Sequence, residues 1–243
     1  IPVIAAPFVG SFLSVLVVRL PRCEDVVCAR SHCLSCGRTL SPLELIPIAS
    51  WFAQGGKCRA CGASLGYLYP AMELGAIAVV LWAAAVVDGS LVAITAALGW
   101  ALLALAAMDL RAFILADVLT LPLIAAGLGV AWWIEPAMLP WHVIGAALGF
   151  ALMVGAAWGY RALRGREGLG FGDAKLMAVA GAWTGLEGVG TILLYGAALG
   201  LVLVAAMRIA GRPVDPETPI PFGAGLAAGL WLTWLYGPLL LGT

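Results

Sequence analysis

Long, nearly uninterrupted blocks of apolar residues constrain the fold of this chain more than any other feature. Gly, Pro and charged residues divide these blocks into about eight segments, at residues ~1–18, ~71–87, ~91–108, ~117–134, ~141–160, ~174–186, ~189–207 and ~219–241. A helix needs about 20 mostly apolar residues to cross a bilayer. The pattern therefore predicts an all-α polytopic membrane protein with about eight transmembrane helices.

The composition excludes most other classes of protein. Of the 243 residues, 63% are hydrophobic and 11% are charged, whereas a soluble domain has about 45–50% apolar and about 25% charged residues. Lys and Arg together number 13, as do Asp and Glu, so there is no basic excess that would point to nucleic acid. We expect the lipid bilayer to be a partner of the chain and nucleic acid not to be one.

The positions of the cations predict how the chain is oriented. If the N-terminus lies outside, all 13 Lys and Arg residues fall in inner loops, which include Arg19–Arg59, Arg111, Arg161–Lys175 and Arg208–Arg212. The outer connections then keep only Asp88, Glu135 and Glu187. This asymmetry is what the positive-inside rule expects. The long loop at residues 19–70 is thereby predicted to lie in the cytoplasm.

All six cysteines lie in that loop, and four of them form two CxxCG units with 21 residues between them. The units supply Cys33, Cys36, Cys58 and Cys61. This spacing is typical of a structural zinc site with four thiolate ligands. A redox pair and unliganded cysteines remain as alternatives. A loop of this size buries too small a core to fold alone, so the metal is expected to supply much of its folding energy.

The other two cysteines, Cys23 and Cys28, stand outside the CxxCG pattern. We interpret them as incidental and not as metal ligands. A disulfide between any of the six cysteines is not expected in a reducing cytoplasm.

Three aspartates lie at the predicted cytoplasmic ends of apolar segments. Asp109 ends one, Asp117 opens the next, and Asp173 closes the run Gly170-Phe171-Gly172-Asp173. Because ionisable groups beside spans are costly to bury, they are candidates for function. Asp109 and Asp173 can form an acid/base pair that shares one proton. Gly170 and Gly172 would let the backbone approach closely around Asp173.

Each aspartate also has a structural alternative. Asp173 and Asp117 fit the N-cap of the helix that follows them, a position that Asp often occupies. Asp109 falls at a helix C-terminus, where the helix dipole disfavours an anion. An ion pair with Arg111 is the alternative explanation for its presence there.

Several motifs, taken together with both cysteine pairs, resemble a known family. They are Gly10-Ser11-Phe12-Leu13-Ser14-Val15, Arg19-Leu20-Pro21, Tyr69-Pro70-Ala71-Met72-Glu73, Asp109-Leu110-Arg111, Asp117-Val118-Leu119-Thr120-Leu121-Pro122 and the GFGD run. The chain resembles the type IV prepilin peptidases over nearly its whole length. These are GxGD membrane aspartic proteases that also act as N-methyltransferases.

The resemblance implies a function and a set of site residues. Asp109 and Asp173 would be the catalytic pair, with Gly170, Gly172 and Asp117 in support. The substrates would be prepilins or pseudopilins of type IV pilus and type II secretion systems, in the bacterial inner membrane. The basic leader would be cut at the cytoplasmic face, and S-adenosylmethionine would then methylate the new N-terminus.

The sequence does not place the methyl donor, because no glycine-rich nucleotide motif follows a strand. Glu73 is one candidate contributor, and a plain helix-start carboxylate is its alternative role. The expected domains are a first transmembrane helix at 1–18, a zinc-binding loop domain at 19–70 that is linked to methyl transfer, and a peptidase domain at 71–243. A protease without methyltransferase activity, and a cation-coupled transporter or scaffold with a zinc loop, are the alternative functions.

Overall fold

Helices account for nearly all regular structure in the computed structural model, which describes residues 2–165, 168, 170–211 and 219–239. The α-helices are Pro2–Arg19 (α1), Ala49–Ala53 (α2), Leu68–Val86 (α3), Leu91–Ala112 (α4), Asp117–Ile134 (α5), Leu139–Arg164 (α6), Phe171–Ile209 (α7) and Phe222–Tyr236 (α8). The described residues form no β-strand, only the isolated bridges His32–Thr39 and Lys57–Ser64.

Six of these helices are long and apolar enough to cross a membrane. They are α1 and α3 to α7, and α8 is a shorter apolar helix of 15 residues. The predicted class, an all-α polytopic membrane protein with a small loop domain, is confirmed. α2 is a single short helix inside the loop and corresponds to none of the predicted spans.

The 39-residue helix α7 contains two of the predicted spans. Gly185, with φ 70° and ψ −174°, interrupts it. The first limb runs parallel to α8. The starts of both lie near Leu115, at Gly172 in α7 and Gly223 in α8. Further along, Trp183 of α7 packs on Trp234 of α8. The second limb runs the other way along α8, from Ile192 beside Gly229 to Gly200 beside Phe222. The chain therefore folds back at Gly185, close to the break that the sequence predicts between the segments at ~174–186 and ~189–207.

Glycines allow the helices of this bundle to pack with their backbones in contact. A Cβ atom on Gly181 of α7 would lie 2.1 Å from the carbonyl carbon of Gly145 in α6. A Cβ atom on Gly149 would lie 2.7 Å from the carbonyl oxygen of Met177. Small residues at such spacings let helices associate closely in lipid. α7 thus packs on α6 with its first limb and on α8 with both.

The chain divides into two compact units, Ile1–Ala104 and Leu105–Thr243. In the first unit α1 packs on α3, and a Cβ atom on Gly10 would lie 2.5 Å from Cα of Glu73. Ala6, Ala76, Val80 and Ala96 form one cluster of buried residues in that unit. The second unit contains the three aspartates. Our division into domains at 1–18, 19–70 and 71–243 stays a prediction.

Candidate metal centre and candidate active site

Two matching turns hold the predicted metal ligands. The N–H of Gly37 donates to the carbonyl of Cys33 at 2.8 Å, and the N–H of Gly62 donates to the carbonyl of Cys58 at 2.9 Å. The two glycines have φ values of 70° and 72°, which other residues adopt only with strain. Each CxxCG unit therefore builds its half of the site from local sequence alone.

The four sulfur atoms have the spacing of a metal site. The Sγ atoms of Cys33, Cys36, Cys58 and Cys61 all lie within 4.8 Å of one another, and those of Cys33 and Cys61 are 3.8 Å apart. Metal–sulfur bonds of about 2.3 Å in a tetrahedron place the sulfurs about 3.8 Å apart. This donor set fits a closed four-coordinate site with no open position for a reactive water.

Backbone N–H groups stabilise the thiolate form of the first cysteine in each turn. The N–H groups of Cys61 and Ala60 lower the pKa of the Cys58 thiol to about 6. The N–H groups of Cys36 and Ser35 likewise lower the pKa of the Cys33 thiol. Because the thiolate and not the thiol binds a metal, these N–H groups favour the metal-binding form of Cys33 and Cys58.

Cys23 and Cys28 are exposed and do not belong to this cluster. Their interpretation as incidental residues stays a prediction.

Asp109 lies in the last turn of α4 and is only 5% exposed. Its Oδ2 atom accepts a hydrogen bond of 2.8 Å from the N–H of Ala224, and the N–H of Gly223 also donates to the carboxylate. Both donors belong to the first turn of α8, where helix N–H groups lack partners within the helix. The positive end of the α8 dipole thus compensates for the unfavourable end of α4.

The proposed alternative for Asp109, an ion pair with Arg111, has no support in the structure. Of the ion pairs formed within the described ranges, none joins these two side chains. The compensation for Asp109 comes from backbone N–H groups of another helix.

Asp173 is the third residue of α7 and is 9% exposed. Gly170, and not Asp173, occupies the N-cap position, so the N-cap alternative for Asp173 is wrong. The carboxylate reaches back to accept the N–H of Gly170, which is one half of a capping box. A Cβ atom on Gly172 would lie 3.0 Å from Cβ of Leu115. The two glycines of GFGD therefore serve different purposes, one as a hydrogen-bond donor and the other for close packing.

The structure brings Asp109 and Asp173 into one site. The two carboxylates lie close enough together to interact electrostatically. The side chain of Leu115 packs against both Gly172, next to Asp173, and Gly223, next to Asp109. Two buried carboxylates that interact in this way can divide one proton between them and act as an acid and a base.

Asp117 is the first residue of α5 and follows the N-cap residue Ala116. The N-cap alternative for Asp117 is therefore wrong by one position. Its side chain is 56% exposed and forms an ion pair with Lys175, with 2.5 Å between Oδ1 and Nζ. Lys175 also lies 5.2 Å from the ring centroid of Phe171. Asp117 thus links the start of α5 to the first turn of α7.

Glu73 lies in the other compact unit, on α3, and is 4% exposed. Its Oε2 atom accepts the N–H of Ile48 at 2.6 Å. The carboxylate therefore binds the cysteine loop to α3 and does more than begin a helix.

Sequence reasoning missed Gly223, Ala224 and Lys175 as members of the aspartate site. A signal for the first two was present, because the run Pro221-Phe222-Gly223-Ala224-Gly225 opens the last apolar segment with a proline and two glycines. Such a run is typical of a helix start with exposed N–H groups. The sequence did not reveal which anion these groups bind.

Comparison with known families gives two matches that together cover most of the chain. Residues 4–87 match the bacterial peptidase A24 N-terminal domain. Residues 96–205 match the type IV leader peptidase family. The second match contains all three aspartates, and the first contains all six cysteines.

Curated relatives cover nearly the whole chain. A prepilin leader peptidase/N-methyltransferase of Burkholderia pseudomallei (strain 1026b) is 39% identical over 96% of this chain and 85% of its own length. Proteins of the same name from Pseudomonas aeruginosa and Dichelobacter nodosus are 33% and 34% identical, each over 94% of this chain and over 87% and 88% of their own lengths. No solved structure matches the chain.

Proposed function

Because the chain belongs to the type IV leader peptidase family, we propose that it cleaves prepilin leaders and methylates the new N-terminus. Its apolar helices and this relationship make it a multi-pass inner-membrane protein. The observation that carries the peptidase activity is the pairing of Asp109 with Asp173, which come from segments 64 residues apart in the sequence. Nothing in the described site favours the transporter or scaffold alternative.

The pair would act on the peptide bond that follows the leader. One ionised carboxylate removes a proton from water, whose oxygen attacks the carbonyl carbon. The protonated carboxyl group donates its proton to the carbonyl oxygen. When the tetrahedral intermediate collapses, the C–N bond breaks and the amine nitrogen takes up a proton. The N–H groups of Gly223 and Ala224 would hold the Asp109 carboxylate in position throughout.

We place the site at the cytoplasmic face, with the N-terminus outside. Arg111 and Lys175 accompany the three aspartates, as the positive-inside rule requires of an inner loop. Two of the cations used in the orientation argument, Arg166 and Arg212, lie outside the described residues. The prepilin would present a basic leader to the acidic groups while its apolar helix lies among the spans.

The four clustered cysteines would hold a structural zinc ion. Zinc supplies no chemistry to cleavage here, because four thiolates leave no coordination position for water. Its role would be to join the two turns of the loop and so to shape the first unit for methyl transfer. S-adenosylmethionine would be the methyl donor.

Mass spectrometry of a purified reaction tests this function. The protein in detergent is mixed with a prepilin and S-adenosylmethionine, and the product is analysed for loss of the leader and for one added methyl group. The Asp109→Asn and Asp173→Asn variants are run beside Asp88→Asn, which changes an exposed acid outside the site. We expect cleavage by the native and Asp88→Asn proteins only. An intact prepilin in every reaction would overturn the proposal.

A further inference from the structure

A cavity lies in the first unit between α1, the cysteine loop and the start of α3. Its volume is about 130 Å³, and it opens to solvent on one side. Its walls include Val15, Arg19, Cys33, Trp51 and Glu73. The cleavage mechanism uses none of these residues.

Glu73 is the most unusual residue in this cavity. Its buried carboxylate accepts N–H and hydroxyl hydrogen bonds from Ile48 and Ser11. Within the described ranges, no Lys or Arg side chain forms an ion pair with it. A buried charge without an opposite charge is costly. The other acid that lines the cavity, Glu44, differs because Arg38 and the N–H of Ser41 already satisfy it. Glu73 therefore has capacity for a cationic or hydroxyl-bearing ligand.

The partner of Glu73 in the loop has a strained backbone. Ile48 has φ 63° and ψ −60°, and the N–H of Ala49 donates to the carbonyl of Pro47 at 2.6 Å. These features define a classic γ-turn, which is rare and strained. A β-branched residue with positive φ is a true outlier. Such strain concentrates at binding and catalytic sites, and here the bond to Glu73 maintains it.

The remaining walls offer an aromatic face and unused donors. The indole N–H of Trp51 donates to the carbonyl of Gly66 at 2.9 Å, which fixes the ring in place. Arg19 is 6% exposed and donates to the carbonyls of Asp25, Ala29 and Arg30. Since a guanidinium group has five N–H donors, two of them remain for a ligand carboxylate.

We propose that this cavity binds S-adenosylmethionine, and this assignment rests on the methyltransferase half of the proposed function. The ligand carries a cationic sulfonium group, ribose hydroxyls, an adenine ring and an amino-acid carboxylate. Glu73 matches the cation or the hydroxyls, Trp51 matches the adenine ring, and Arg19 matches the carboxylate. The other cavity described, which Trp158, Arg161 and Phe171 help to line, has no acid in its walls.

The transfer itself needs no further reagent. The methyl carbon leaves the sulfonium sulfur, which keeps the bonding electron pair. The carbon bonds to the lone pair of the new N-terminal amine, and the displaced amine proton passes to solvent. Glu73 would act as a binding residue for the donor.

The cysteine centre forms part of the same cavity. Cys33, Leu34 and Ser35 of the first turn line its wall, as do Ser64 and Leu65 just beyond the second turn. Loss of the metal would therefore disturb the cavity from both turns. Loss of the metal would thus impair methyl transfer through the shape of this cavity and leave the aspartates unchanged.

Binding of S-adenosylhomocysteine, the unreactive product, tests the assignment. The full-length protein in detergent is titrated by calorimetry, as the native chain and as three variants. Glu73→Gln removes the buried charge, and Val15→Trp fills the cavity without changing any charge. Glu135→Gln is the matched control, because this exposed acid lies in the other unit. Leader cleavage by each variant, measured in parallel, reports that the protein has folded.

We expect Glu73→Gln to weaken binding by about tenfold or more, the loss that follows from one charged hydrogen bond. Val15→Trp should also weaken binding by about tenfold or more, because its side chain fills the cavity. Cleavage should stay close to the native rate, and Glu135→Gln should bind normally. Native affinity in Val15→Trp would overturn the cavity assignment while methyl transfer stands. A native protein that neither binds the probe nor adds a methyl group would instead refute the methyltransferase half of the proposed function.

Discussion

The cysteine centre and the aspartate site are built in opposite ways. Each half of the cysteine centre is closed by hydrogen bonds within one CxxCG unit, from Gly37 to Cys33 and from Gly62 to Cys58. Asp109 instead depends on an N–H group 115 residues later in the sequence, at Ala224. We propose that a metal joins the two cysteine turns, whereas helix packing brings the aspartates together. This difference predicts that either site can be damaged while the other remains intact.

The largest effect should come from the aspartates themselves. Asp109→Asn and Asp173→Asn should each lower the cleavage rate by about 100- to 10,000-fold, the usual contribution of general acid–base catalysis. Because the two residues act as one unit, the double variant should be no worse than either single one. Single-turnover cleavage followed by mass spectrometry measures the loss, and retained metal content shows that the first unit is unaffected. Full activity in either single variant would show that the substituted aspartate is not part of the catalytic pair.

The next largest effect should come from the cysteine centre. The Cys33→Ser/Cys36→Ser double variant removes two of the four thiolates, so it should release the metal and unfold the loop. We expect methylation to fall by about tenfold or more and cleavage by less than about threefold, because a metal-dependent loop gains most of its folding energy from the ion. Metal analysis and mass spectrometry of the product measure both effects in one sample.

The matched control is Cys23→Ser/Cys28→Ser, which changes the two exposed cysteines outside the cluster. This variant should keep its metal and both activities. An equal loss of cleavage and methylation in Cys33→Ser/Cys36→Ser would show that the loop serves substrate binding and not methyl transfer.

A smaller effect should follow from Gly223→Ala. The added Cβ would lie 3.1 Å from Cγ of Asp109 and 2.9 Å from Cδ1 of Leu115, so the carboxylate has to shift by a few tenths of an ångström. A displacement of about 1 Å in a catalytic group can cost about 100-fold in rate, and we expect a loss of about 10- to 100-fold. Gly190→Ala is the control, because nothing lies within 4 Å of its added Cβ. Equal cleavage rates in the two variants would refute the positioning role of the α8 helix start.

The smallest effect should come from the exposed ion pair. Asp117→Asn and Lys175→Met should each leave most of the activity, because exposed ion pairs contribute about 0.2–1 kcal/mol. This range corresponds to less than about a fivefold change in cleavage rate. If the two residues act only through each other, the double variant should equal either single variant. Additive losses in a double-mutant cycle would show separate roles.

Much of the cysteine centre could be predicted from sequence, because its geometry is local. The spacing of Cys33, Cys36, Cys58 and Cys61 identified all four members of the cluster. The apolar segments likewise predicted the helices, including the break that Gly185 makes in α7. Such features depend on residues that are close in sequence, so the pattern itself carries them.

The partners of the aspartates could not be predicted in this way. The sequence correctly marks Asp109 as an anion in an unfavourable place, and an ion pair with Arg111 is the alternative explanation that it leaves open. The real donors are N–H groups of Gly223 and Ala224, and no sequence pattern specifies which distant helix start meets a given carboxylate. The pairing of Asp117 with Lys175 depends on helix packing for the same reason.

The central claim is that the aspartate pair performs cleavage while the first unit performs methyl transfer. A peptide with the N-terminus of an already cleaved pilin tests it directly, because such a substrate no longer needs the protease. The added methyl group is measured by mass spectrometry with the Asp109→Asn/Asp173→Asn protein. We expect methylation at close to the native rate, with no cleavage of full-length prepilin. Loss of methylation in this variant would contradict the separation of the two sites.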